Sequence, residues 1–184
     1  MDEYNPSGET VTRTFRLGEE WDKILEHEAD MQGISVSALL QQIVRRYVCS
    51  ERFIDQRSTL VINHNAFSSF LVKLSEDEIV ESAELFGSIE PEEELLKRGL
   101  EFNFESIIWL LDEIYGRYAG WFVVDNYPSK AEIMLHLRHT LNMKWSMYVA
   151  GFVSSMFRTL LDIDLKPEIR LDSVTIYIPK KQIK

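Results

Sequence analysis

Thr12, Thr14 and Arg16 alternate along the segment Thr10–Leu17 (TVTRTFRL). On a strand, whose side chains repeat every second residue, all three share one face. An arginine there can donate a bidentate pair of hydrogen bonds to a guanine edge, and a threonine offers a hydroxyl or a methyl group. Phe15 and Leu17 share the other face with Val11 and can anchor a core. Arg13 interrupts that apolar face, which places it at the frayed end of the strand and within reach of a phosphate. A second, denser polar group is His139, Asn142, Lys144, Trp145 and Ser146. It falls where a predicted strand hands over to a helix N-terminus, a place whose backbone N–H groups receive anions. These five are a candidate ligand or anion site. The bland alternative is a helix cap at Asn142 or Thr140 with Trp145 buried beneath it.

Most other chemistry is excluded by its missing motifs. The chain has no P-loop, dinucleotide-binding glycine pattern, nucleophile elbow, Cys-x-x-Cys or His-Glu-x-x-His. His136 and His139 are three apart, so on a strand they face opposite sides and cannot chelate together. The expectation is no enzyme, no cofactor and no metal.

The elements that must position Arg16 and the threonines come next. An eight-residue strand with no partner in its own segment cannot stand alone. A second copy of the chain is its natural partner, and a two-stranded antiparallel ribbon fits the major groove. Trp21, Ile24, Leu25 and Ala29 follow at helical spacing, with acids in the first turn where the helix dipole favours them. Gly33 suits the position just past that helix. Ser35 or Ser37 can cap a second helix, whose stripe is Leu39, Leu40, Ile43, Val44 and Tyr47, with Arg45 and Arg46 outside.

This order of strand, helix, glycine break and helix over Thr10–Val48 resembles the ribbon-helix-helix DNA-binding family, the class of the Arc and MetJ repressors. The resemblance covers about the first quarter of the chain. It implies a dimer whose strand pair reads the major groove, with Thr12, Thr14 and Arg16 toward the bases and Arg13 toward the backbone. It also implies a DNA phosphate held by backbone N–H groups at the start of the second helix, residues Ile34 to Ser37, so that Ser35 and Ser37 join the DNA-binding set.

At 184 residues, 45% apolar and 27% charged, the chain suits one small and one medium domain. The expected division is a flexible arm over 1–9, a DNA-binding and dimerisation domain with a hinge over 10–57, and an α+β domain over 58–184. The N-terminus lacks a secretory signal, no apolar run is long enough for a membrane, and Cys49 stands alone. These features point to a cytoplasmic protein with no membrane contact. The net charge of −10 sits poorly with DNA, but it is unevenly spread. Residues 1–57 carry 7 basic and 11 acidic side chains, 58–127 carry 4 and 14, and 128–184 carry 9 and 5. Arg13, Arg16, Lys23, Arg45 and Arg46 are the cations available to phosphates, so modest affinity per dimer or higher assembly on DNA is expected.

Downstream, Asn63 or Asn65 can cap a helix with the stripe Phe67, Phe70, Leu71 and Leu74, after a short apolar run at 59–62. Ser75 and Glu78 have the spacing of a capping box. Pro91 reads as the first position of a new helix, with Glu92, Glu93 and Glu94 in its first turn. A helix with Ile107, Ile108, Leu110, Leu111 and Ile114 should end near Gly116 or Gly120. Trp121–Asp125 and Ala131–His139 then read as a hairpin turning at 126–130, followed by a helix over Asn142–Leu161. Pro167–Leu171 and Val174–Ile178 form a second hairpin. The expected fold class is α+β: an N-terminal ribbon-helix-helix, a helical segment and an antiparallel β-β-α-β-β domain. This last domain looks like that of uncharacterised archaeal ribbon-helix-helix proteins. The expected function is a dimeric or higher-oligomeric regulator of transcription on double-stranded DNA. Its second domain would serve oligomerisation, an unidentified effector or a protein partner. The alternatives are an interaction module such as an antitoxin, or a ligand-binding domain with an N-terminal dimeriser.

Overall fold

Glycine and serine punctuate the first helices as the sequence requires. In the computed structural model, α1 spans Glu19–Gln32 with Glu19, Glu20 and Asp22 in its first turn. It ends at Gly33, whose φ of 67° is left-handed and free of strain because glycine has no Cβ. The Ile34 N–H closes the motif by donating to the Ala29 carbonyl. Helix α2, Val36–Cys49, is capped by Ser35, whose Oγ accepts from the Ala38 N–H at 3.2 Å. Ser35 and not Ser37 is therefore the cap. A 3-10 turn over Glu51–Phe53 follows. The structure describes residues 10–53 and 61–183; the expected N-terminal arm and most of the hinge lie outside them. The chain divides into two units, residues 1–58 and 59–184.

The expected N-terminal strand is corrected by the structure. Residues 10–17 form no strand, and the secondary structure of this unit is helical throughout its described residues. The ribbon-helix-helix fold class expected for this part of the chain is overturned with it, and the sheet lies wholly in the second unit. The physical reason is that an alternating pattern specifies a strand only where another strand supplies its hydrogen bonds, and a single chain brings none to this segment.

The second unit is α+β. Helices α3 (His64–Leu71), α4 (Glu76–Lys97) and α5 (Phe104–Trp109) lead into a wider π-helical stretch over Leu110–Tyr118. Strands β1 (Val123–Pro128) and β2 (Glu132–Arg138), helix α6 (Met143–Leu161), and strands β3 (Glu168–Ile169) and β4 (Ser173–Pro179) complete it. The sheet order is β1-β2-β4-β3, antiparallel at every pairing, so the expected β-β-α-β-β order closes into one sheet. Leu135, Leu137, Val174, Ile176 and Ile178 are buried. The register pairs Leu135 with Ile176 and Leu137 with Val174, so they share the inner face, as alternation demands. Helix α4 packs along α6 through small residues: Ala83 and Gly87 on one helix, Gly151 on the other.

Several boundaries differ from expectation for local reasons. Asn63, rather than Asn65, caps α3 by accepting from the Asn65 N–H at 2.9 Å. Phe70 and Leu74, assigned to the α3 stripe, are exposed, whereas Leu71 is buried. Pro91 lies inside α4 instead of starting a helix. The capping box at Ser75 already supplies a start, and the buried side of Pro91 packs with a continuous helix, outweighing the ~3 kcal/mol that proline costs in a helix interior. Strand β1 reaches Pro128, so the hairpin turns at 129–131, where Ser129 Oγ accepts from the Glu132 N–H at 3.1 Å. Among the described residues, no helix is long and apolar enough to cross a membrane.

Candidate nucleic-acid interface

In the first unit, Thr12, Arg13, Thr14 and Arg16 are all exposed. Ser35 and Ser37 are exposed at the start of α2. The first N–H groups of any helix lack an intrahelical partner. Ser35 Oγ occupies that of Ala38, so outward-facing donors at Val36 and Ser37 are the ones available to an anion. The other cations differ in their engagement. Lys23 pairs with Glu19 at 2.6 Å one turn away, and Arg46 pairs with Glu51 at 2.9 Å. Both are surface pairs, which a phosphate can displace at a cost of under about 1 kcal/mol.

The apolar residues around these groups are bare. Phe15 is 60% exposed and Trp21 67%, and Leu17, Ile24, Ile43, Val44 and Tyr47 are exposed as well. Among the described residues of the unit, the buried apolar ones are Ala29, Leu39, Cys49 and Phe53. A shallow groove lined by Phe15, Leu17, Glu19, Asp22, Val36 and Leu40 runs between the segment before α1 and the start of α2. The sequence pattern shows these residues as apolar faces, but it does not show that Val36 and Leu40 meet Phe15 and Leu17.

In the second unit the structure brings all five residues of the polar group to the start of α6, where each is used internally. Asn142 caps the helix, its Oδ1 accepting from the N–H groups of Lys144 (3.0 Å) and Trp145 (3.3 Å), while its Nδ2 donates to Ser68 Oγ at 2.8 Å. Lys144 Nζ donates to the carbonyls of Val72, at 3.1 Å, and Leu74. Trp145 is buried, and its Nε1 donates to the Trp121 carbonyl at 3.1 Å. His139 Nε2 and Ser146 Oγ are 2.8 Å apart, and the serine hydroxyl also lies 3.3 Å from the Leu171 carbonyl. Burial holds His139 below the usual histidine value, partly offset by the charge of Asp172. Ser146 is fully buried, and His139 is half-buried beside it. The partners Ser68, Val72 and Leu74 come from the end of α3 and the turn after it, 70 to 74 residues away. Nothing in the local sequence announces them.

An aromatic cluster backs this junction. Trp145 stacks on Tyr148 with centroids 5.1 Å apart, and Trp121 meets both edge-on. Burial, with Glu90 nearby, raises the Tyr148 hydroxyl to about 12. The two histidines face different partners: His136 Nδ1 lies 2.9 Å from Thr175 Oγ1, and His139 turns to Ser146. The arrangement around α6 is a structural junction joining α3, the sheet and α6. No protein-family model, curated protein or solved structure matches this chain significantly.

Proposed function

We propose that this protein is a sequence-specific DNA-binding regulator of transcription that acts as a dimer, with the N-terminal segments of two copies entering the major groove. The observation that carries the reading is the bare apolar surface of the first unit, with Phe15 and Trp21 more than half exposed. Leaving such side chains in water forgoes roughly 1.5–3 kcal/mol each. A second copy presenting the same surface would cover them symmetrically. On that arrangement Thr12, Thr14 and Arg16 face bases, Arg13 faces the backbone, and the N–H groups of Val36 and Ser37 hold a phosphate.

The second unit, with its own buried core, serves as an oligomerisation or sensing domain in this reading. Selection of bound duplexes from a random pool by the full chain tests it, paired with sedimentation of the same sample. A dimer enriching one operator-like sequence is the expected result. A monomer that enriches nothing ends the reading.

A further inference from the structure

Helix α4 is apolar on two opposite faces. At 100° per residue, Ile79, Ala83, Gly87 and Glu94 fall on one side, and all are buried. Leu85, Ile89 and Leu96 fall on the other, at spacings of four and seven, in the solvent. Ile89 is 48% exposed and Leu96 60%. Phe86 flanks them, also exposed. A helix with apolar residues all round is ordinarily buried all round, so this second stripe calls for a partner.

The charge around it says which kind. Glu81 and Glu92 lie along one edge of the stripe and Glu93 along the other, with Glu78 at its N-terminal end. The helix holds a single base, Lys97, 3.6 Å from both Glu93 and Glu94. A second copy laid on this face would set glutamate rim against glutamate rim, which like-charge repulsion opposes. We infer that the outer face of α4 docks a basic amphipathic helix from a partner protein, its apolar residues on Leu85, Ile89 and Leu96 and its lysines or arginines on the glutamate rim. Helix-on-helix recognition of this kind reads anchors one and two turns apart, and the stripe presents them at successive spacings of four and seven. The surface belongs to the second unit and is independent of the DNA-binding reading.

The test uses the full chain and a synthetic helical peptide with leucines at i, i+3, i+4 and i+7 and lysines elsewhere. A scrambled peptide of the same composition and a glutamate-for-lysine version are the controls. The parent protein should bind the leucine–lysine peptide by calorimetry, and not the controls. Ile89→Ser and, separately, Leu96→Ser should each weaken binding ~10-fold or more, since both alter anchors at the centre of the surface. Glu81→Gln with Glu93→Gln should weaken it and flatten its salt dependence. Both serine positions are exposed, so the variants keep the fold, and far-ultraviolet circular dichroism confirms it. Equal binding of the scrambled peptide, or binding indifferent to Ile89→Ser and Leu96→Ser, overturns the inference. So does a drop in the oligomeric mass of the full chain on Ile89→Ser, which would assign the stripe to a second copy.

Discussion

Gly87 lies against the backbone of Phe152, so close that a Cβ on Gly87 would stand 2.9 Å from the Phe152 Cα. Helices α4 and α6 therefore touch backbone to backbone at this point. Ser155 Oγ reinforces the contact by donating to the Glu84 carbonyl at 2.7 Å. Glycine inside a helix ordinarily costs about 0.5–1 kcal/mol relative to alanine. Here the sign reverses, because the added methyl group meets backbone that cannot rotate away. Gly87→Ala should destabilise the second unit by about 1–3 kcal/mol, the usual range for overpacking. Urea denaturation measures it. A gain in stability would show that the two helices are not in contact at this residue.

The Glu94–Arg98 pair sits at the end of the same helix with both side chains fully buried. Arg98 donates from one guanidinium nitrogen to Glu94 Oε2 at 2.6 Å and to the Glu94 carbonyl at 3.0 Å. Breaking a buried pair by removing one partner is costly, about 3–5 kcal/mol, and here Lys97, 3.6 Å from Glu94, offsets part of it. Arg98→Met should therefore be severe. Arg98→Met combined with Glu94→Gln should recover part of the loss, since the buried carboxylate that lost its arginine is gone. Additive losses in the two single variants and the double variant would show that the pair is not energetically coupled.

His139 gives the fold a pH dependence of defined sign. Its folded-state value lies below the ordinary 6.5 because burial disfavours the imidazolium, with Asp172 opposing. The unfolded chain thus takes up the proton first as pH falls. The stability contributed by neutral His139 is complete above pH 6.5 and declines as pH drops toward the folded value. His139→Gln, which can keep a hydrogen bond to Ser146, should flatten the stability profile just below that point. An unchanged slope in the variant would place the acid sensitivity in other groups.

How much of this was legible depended on whether the determining contacts were local. Ser75 and Glu78 carry their whole interaction within one turn, and the capping box forms as read, with the Ser75 N–H 2.7 Å from Glu78 Oε2. Gly33 and Asn142 are similar, since a cap needs nothing beyond a few residues. The strand pattern of the second unit was legible because both hairpins are short, although β1 runs three residues further than its expected end at Asp125. Pro91 misled because its local preference for a helix start yields to packing along all of α4. The segment at 10–17 misled for a different reason. Its alternation is real, but a strand is a property of two segments, and the second is absent from a single chain. Likewise, the roles of Lys144 and Asn142 depend on Ser68, Val72 and Leu74, which sequence proximity could never indicate. The π-helical widening after Trp109, with the Ala119 N–H donating to the Ile114 carbonyl at 2.8 Å, has no marker in composition.

Phe15 and Arg16 are neighbours whose substitutions separate the proposed dimer from the proposed base reading. Phe15 is 60% exposed within one chain. If nothing covered it, Phe15→Ala would be close to neutral, as exposed substitutions usually are within about 0.5 kcal/mol. In a dimer that buries it, the same change leaves a cavity worth roughly 3–5 kcal/mol, expressed as weaker association and a midpoint that depends on protein concentration. Arg16→Ala should do the opposite. It should leave the thermal midpoint and the dimer untouched, while reducing discrimination by about 1–3 kcal/mol at one base pair per half-site. Sedimentation, thermal melts at two concentrations and competition binding between operator and mismatched duplexes distinguish the outcomes. If Arg16→Ala dissociates the protein and Phe15→Ala spares it, Arg16 and not Phe15 holds the two copies together, and the roles proposed for the two residues are wrong. If both variants match the parent in mass and in base preference, the N-terminal segment neither pairs two chains nor reads DNA.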